Sequence, residues 1–259
     1  MDEIAATYRA HCLCSSLLQA LVLVVLVFPS SVAAHVGVHE EIERLTRLIQ
    51  QDPTNPQLYV WRGEAYRLHG NQGGAVTNFN KALGIDPGNV AATNGLGRTF
   101  LDQENYQQAI VHLNRSISRK PGNVRALVLR AQANAVSGRP LQATADYTRA
   151  IAQFQKQGKP LPGYYLERAR AYAAAGDQYV DSALQSLDEG INVLGNIRTL
   201  ELYAVDLETG RGHYDVALAR LDRILARATR KESLLLTRGD ILIIAGRTTE
   251  ATQVILLHS

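Results

Sequence analysis

From Pro56 to the end of the chain, apolar side chains recur at intervals of three and four residues, the period of helices with one buried face. A slower period is laid over this one. Alanine stands at 75, 109, 143, 183, 217 and 251, at gaps of 34, 34, 40, 34 and 34 residues. Four residues after each alanine comes a large apolar side chain: Phe79, Leu113, Tyr147, Leu187, Leu221 and Ile255. Twelve residues before come the small residues Gly63, Gly97, Ala131 and Gly239, with Val205 the poorest match; the fourth unit needs Ala169 there and two extra residues in its turn. Glycine-containing turns, "LHGNQGG" at 68–74 and "AAAGDQY" at 173–179, divide each unit into two helical stretches. Self-similarity at this period marks a repeat architecture. The small positions have a packing reason, since antiparallel helices approach to roughly 8–10 Å only where small side chains meet. Pro87 and Pro121 close the second helix of their units, because proline cannot continue the helical ladder.

A 34-residue helix–turn–helix carrying Tyr59, Gly63 and Tyr66, then Ala75, Phe79, Ala82 and Pro87, resembles the tetratricopeptide repeat family. The resemblance covers about 56–259, with five full repeats (56–89, 90–123, 124–161, 162–197, 198–231) and a partial one (232–259). It implies an all-α fold, an α-solenoid of antiparallel helix pairs wound as a right-handed superhelix. Two departures stand out. The third to fifth repeats lose the terminal proline, and "QFQKQGKPLPG" inserts four residues before the fourth repeat, where a kink or a wider gap is expected.

Residues 1–34 differ from the rest. Ala20–Phe28 is unbroken apolar, the length of a signal-peptide core and shorter than the roughly 20 residues of a membrane span. Val32 and Ala34 suit the small positions before a cleavage site, so 1–34 is expected to be a signal peptide of a periplasmic or secreted bacterial protein. Asp2 and Glu3 against a lone Arg9 are unusual for its start, and an uncleaved segment would leave the chain membrane-anchored. Both cysteines, Cys12 and Cys14, fall in this segment, so the mature chain would have no thiol chemistry.

"HEEIERLTRLIQQDP", 39–53, is in register with the second helix of a repeat: Leu45 lies 34 before Phe79, and Pro53 lies 34 before Pro87. Residues 35–55 therefore read as an N-terminal capping helix, with Glu40, Glu41 and Glu43 favouring its start. His35, His39 and Glu43 have the spacing of a Cu(II) or Zn(II) hook. The capping helix accounts for the segment without a metal, and no metal site is assigned. The other end, "ATQVILLHS", closes apolar and offers an edge for a partner or a second copy; oligomeric state is left open.

Composition narrows the function further. Losing Asp2, Glu3 and Arg9 takes the 27 basic and 24 acidic residues to 26 and 22. That mild surplus, with no basic run longer than a pair, gives no footprint for nucleic acid. No phosphate-binding glycine loop, His-Glu-x-x-His or Gly-x-Ser-x-Gly occurs. "GNQGG" at 70–74 sits in an inter-helix turn, and Asp188-Glu189 reads as a solvated pair on a second helix. No catalytic residue and no cofactor site is assigned; the chain reads as a non-enzymatic scaffold or adaptor of the cell envelope. The alternatives are a dedicated accessory subunit or chaperone of an exported enzyme and, less favoured, metal handling through the His35 end.

The resemblance implies that first helices line a concave groove holding a protein or peptide. Position 9 of each repeat gives Glu64, Arg98, Gln132, Arg170, Asp206 and Asp240, with Arg67, Asn94 and Arg125 adjacent. The expected partner-binding groove is therefore Glu64, Arg67, Asn94, Arg98, Arg125, Gln132 and Arg170, basic in the middle and suited to an acidic segment of a partner, since arginine binds carboxylates bidentately. Val60 and Glu64 stand where the carboxylate clamp of chaperone-binding members would begin, so that ligand is not transferred.

Overall fold

The computed structural model describes residues 29–256, and the signal segment expected at 1–34 lies mostly outside them. Thirteen α-helices are present among the described residues: α1 (Pro29–Gln51), α2 (Pro56–Leu68), α3 (Gln72–Ile85), α4 (Val90–Asp102), α5 (Tyr106–Arg119), α6 (Val124–Val136), α7 (Pro140–Gln155), α8 (Pro162–Ala174), α9 (Val180–Leu194), α10 (Arg198–Gly210), α11 (Tyr214–Arg227), α12 (Glu232–Ile244) and α13 (Thr248–Leu256). A short 3-10 turn, Asp177–Tyr179, leads into α9. None of these helices is long and apolar enough to cross a membrane. The chain divides into two compact units, the first ending at Thr99 and the second beginning at Phe100, within α4.

In the first unit α1 starts at Pro29, earlier than the capping helix read from His35, and runs unbroken past Ala34 and His35. Proline suits the first turn, where its missing N–H has no intrahelical partner to lose. Ile42, Leu45 and Ile49 form the buried stripe of α1, which packs on α2. The α2–α3 pair closes over Phe79, which is buried. A Cβ at Gly95 would stand 2.3 Å from the Phe79 ring, and one at Gly63 2.9 Å. Two glycines, one on α2 and one on α4, thus make room for a single aromatic ring.

Asparagine starts these helices. Asn55 Oδ1 accepts from the Gln57 N–H, Asn71 from Gly74 and Asn89 from Ala92. Asn105 and Asn123 repeat the contact in the second unit, at Gln108 and Ala126. Each satisfies a donor that the helix itself leaves open.

The second unit stacks helix pairs over successive cores. Leu113, Ile117, Leu127 and Ala133 form one, and Ala131, Ala143, Tyr147 and Ala171 the next. Tyr165, Leu187 and Leu200 follow, and Leu221, Leu234 and Leu242 close the series. The insertion before the fourth repeat is absorbed by α7, which reaches Gln155, and by the loop 156–161. The expected gap is filled. Ile151 of α7 shares a core with Tyr165 of α8, the Phe154 and Tyr164 rings meet edge to face at 5.9 Å, and Gln155 Nε2 donates to Tyr165 Oη at 3.3 Å. On α12, Leu236, Ile243 and Ile244 are exposed while Leu234, Ile241 and Leu242 are buried.

Candidate partner-binding surface

A ladder of arginines fixes the first helices. Arg62, Arg130, Arg168 and Arg238 each stand immediately before or close to the small position of their repeat. Arg62 donates to Asn78 Oδ1 at 2.8 Å on the following helix and to Thr46 Oγ1 at 3.1 Å on the preceding one. Arg130 grips Asp146 with two bonds of 2.8 and 2.6 Å and reaches back to Asn114. Arg168 donates to Ser186 at 2.8 Å and to Glu189, and reaches back to Thr148. Arg238 reaches back to Asp222 at 3.1 Å. Asp146 and Arg168 are buried, so these are interior bonds that orient three successive helices. A buried pair needs this quality of geometry to offset desolvation.

Asp188 and Glu189 are accordingly not a free solvated pair: Asp188 binds Arg220 with two bonds of 2.7 and 2.8 Å, and Glu189 binds Arg168. Opposite charge holds both in place, from the next repeat for Asp188 and from the first helix of the same repeat for Glu189.

Four of the groove residues read from the sequence lie in the first unit. Arg67 Nε pairs with Glu64 at 3.0 Å on α2. Asn94 of α4 is buried, and Arg98 is half-buried one turn on. The other three lie in the second unit. Arg125 is exposed at the start of α6, Gln132 is half-buried near its end, and Arg170 is exposed on α8.

Around Arg170 the structure assembles more than the position-9 reading contained. Its guanidinium pairs with Glu167 at 2.7 Å and lies over the Tyr203 ring of α10, 5.8 Å from the centroid. Burial raises the Tyr203 hydroxyl above its ordinary range, with Arg170 opposing and Asp206 and Glu167 reinforcing. Tyr147 is raised by burial and then by Glu167 and Tyr164, and Tyr164 by burial alone. Asp206 is also raised by loss of water. Glu167, Arg170, Tyr203 and Asp206 thus lie together on α8 and α10, an aromatic ring among charges of both signs. Tyr203 stays protonated at neutral pH, a donor as well as an apolar face.

At the N-terminal end, His39 faces Glu43 at 3.5 Å, both exposed. The His35 side chain is outside the described residues, and no group of three metal-capable side chains occurs among them.

Tetratricopeptide repeat models match residues 42–90 and 68–133. No curated protein matches the sequence. Several solved structures do match in fold. A tetratricopeptide repeat protein from Parabacteroides merdae superposes with a TM-score of 0.60 at 20% identity, over 78% of this chain and 77% of that one. MamA gives 0.59 at 22% identity over 69% and 94%. YrrB, described as a TPR protein with an unusual peptide-binding site, gives 0.59 at 16% identity over 76% and 97%. At these identities the likeness is one of fold. The repeat matches over α1 to α6 and the helix pairs that continue through α13 agree: the chain carries tetratricopeptide repeats at 42–133 and has the tetratricopeptide repeat fold.

Proposed function

We propose that the chain is a non-enzymatic scaffold of the cell envelope that holds an extended, acidic segment of a protein partner on first-helix surfaces, with the α8–α10 surface as its centre. Tetratricopeptide repeats are protein-interaction modules. The observation that carries the reading is Arg170 stacked on Tyr203 and bridging α8 to α10. Tyrosine and arginine are enriched at the centres of protein interfaces, tyrosine for its rigid amphipathic ring and arginine for its planar fork of donors.

The Glu167–Arg170 pair does not block such a partner. Both side chains are about half exposed, and an exposed pair within one helix contributes little. A carboxylate of the partner could take the Arg170 guanidinium while Tyr203 supports it from below. Arg125 on α6 would extend the same charge preference. The envelope location rests on the apolar run Ala20–Phe28 and the small residues Val32 and Ala34.

Capture of partners by the tagged chain from its native envelope fraction tests the reading. Substituting Arg125→Glu and Arg170→Glu together is expected to remove the principal partner while leaving the helical circular dichroism unchanged. An unchanged set of partners would move binding away from the first helices.

A further inference from the structure

The arginine ladder is broken in one place within the second unit, and the break leaves a cleft. Ala204 of α10 stands where Arg130, Arg168 and Arg238 stand in their repeats. Its role passes to the second helix: Arg220 of α11 spans to Asp188 of α9 through both Nη atoms. Beside that bridge, between α9, α11 and the loop before α10, lies a cleft of about 230 Å³.

Its wall is rich in donors. Arg220, Arg223 and Arg227 follow one another at three and four residues on α11, so their side chains share a face of the helix. Asn192 and Asn196 line the opposite side. A second depression, contiguous through Asn196, Glu201 and Arg227, adds Arg198. The acidic side chains present are already engaged, Asp188 by Arg220 and Glu201 by Arg227. Among the described residues, Arg223, Arg198 and the two asparagine side chains have no hydrogen-bond or ion-pair partner. The Arg220 Nε is buried without a hydrogen bond, 4.0 Å from Glu208.

With Glu208 beside Arg220, four arginines face three carboxylates, so positive charge is in excess while the donors of Arg223, Arg198, Asn192 and Asn196 are unmet. Like charges at this helical spacing repel, which destabilises the arrangement in the absence of a counter-ion. A phosphate monoester matches what is missing: negative charge, and several acceptor oxygens for guanidinium and amide donors. A single carboxylate would offset the surplus charge but brings only two oxygens to these donors.

We propose that the α9–α11 cleft binds a phosphate monoester, with Arg223 and Arg227 as its principal charge contacts and Asn192 and Asn196 as flanking donors. Its principal charge contacts, Arg223 and Arg227, lie on the second helix α11, whereas the surface assigned to the protein partner centres on Arg170 and Tyr203 of first helices.

Calorimetric titration of the full chain with sodium phosphate, and separately with a phosphoserine-containing Gly-Ser peptide, at constant ionic strength set by chloride, tests the proposal. Saturable binding of at least one probe is expected, weakened about tenfold by Arg223→Gln, the loss of one charge-assisted contact. Arg223 is exposed and unpaired among the described residues, so this variant is expected to keep the parent melting temperature. Tighter binding of the peptide would identify a phosphorylated protein as the source, and equal binding a free phosphate compound. No saturable binding of either probe, or equal binding by the parent and a well-folded Arg223→Gln variant, would overturn the proposal.

Discussion

The helices from α2 to α6 and those from α7 to α12 begin differently, although the same repeat builds both. Each of the early five starts at an asparagine, Asn55, Asn71, Asn89, Asn105 or Asn123, whose side chain accepts from a free N–H of the first turn. At the corresponding positions the later helices have Arg139, Leu161, Tyr179, Ile197, His213 and Lys231, and none makes a side-chain cap bond. The later region shows ion pairs between helices. Arg130–Asp146, Arg168–Glu189, Arg220–Asp188, Arg227–Glu201 and Arg247–Asp215 all join separate helices there. In the early repeats local bonds define the helix starts and Arg62 crosses between helices to neutral partners; in the later ones ion pairs cross between helices. The proposed partner surface and the arginine-lined cleft both belong to the second kind of region, where polar side chains are already deployed between elements.

The comparison can be broken most severely at Arg130. Arg130→Met leaves the buried Asp146 carboxylate without its two bonds, and urea unfolding is expected to register a loss of about 3–5 kcal/mol. Adding Asp146→Leu should return much of it, because the buried carboxylate, left with only Arg149 at 3.8 Å, is then gone as well. In the early region the most sensitive point is packing. Gly95→Ala would set a methyl 2.3 Å from the Phe79 ring, a displacement expected to lower stability by about 1–3 kcal/mol in the same measurement.

Capping gives a smaller effect and a direct transfer between regions. Asn71→Ala should reduce stability by about 1 kcal/mol, whereas Arg139→Asn, at the equivalent position before α7, should raise it by a similar or smaller amount. The Arg139 backbone, at φ −119° and ψ 58°, is close enough to that of Asn71, at −83° and 79°, for the cap to form. If Arg139→Asn stabilises nothing, the difference between the regions does not reside in the caps.

The smallest expected effect is on pH dependence. His112 stacks on Phe100 with ring centroids 5.3 Å apart, and burial followed by the nearby Arg115 charge lowers its pKa below the ordinary 6.5. The unfolded chain then binds the proton more readily than the folded one. Stability from this site is therefore complete above about pH 6.5 and declines as pH falls through 6.5 toward the lower folded value. Replacing His112 by Gln should flatten the stability profile between neutral and mildly acidic pH.

The fold was legible because its determinants are local and periodic. Ala75, Ala109 and their successors, with a large apolar residue four positions on, reveal the helix pairs without any structure. The resemblance to the family rests on the same residues. Two further signals were present and unread: Asn55, Asn89 and Asn123 lie 34 apart, as do Asn71 and Asn105. Arg62, Arg130 and Arg238 recur just before a small residue, but an arginine on an amphipathic helix reads as solvated unless its partners are known. Those partners come from other helices, 16 or more residues away.

The candidate surface was less legible for the same reason. Position 9 identified Arg170, but Glu167 at its side and Tyr203 on the next first helix change its chemistry, and neither occupies that position. Asn94 shows the limit from the other direction, since a polar residue at an outward-reading position is buried in the structure. The α9–α11 cleft depends on second helices and on the loss of an arginine at Ala204, and no count of charges along the chain would find it.

Site-specific photocrosslinking tests the central claim most directly, with a benzophenone amino acid placed at Tyr203 of α10 or at the exposed Ala219 of α11 and the chain illuminated in its native envelope fraction. The account predicts that the protein retained by the parent chain crosslinks from position 203 and not from 219. Crosslinking from 219 with none from 203 would contradict it and place the partner on the second helices.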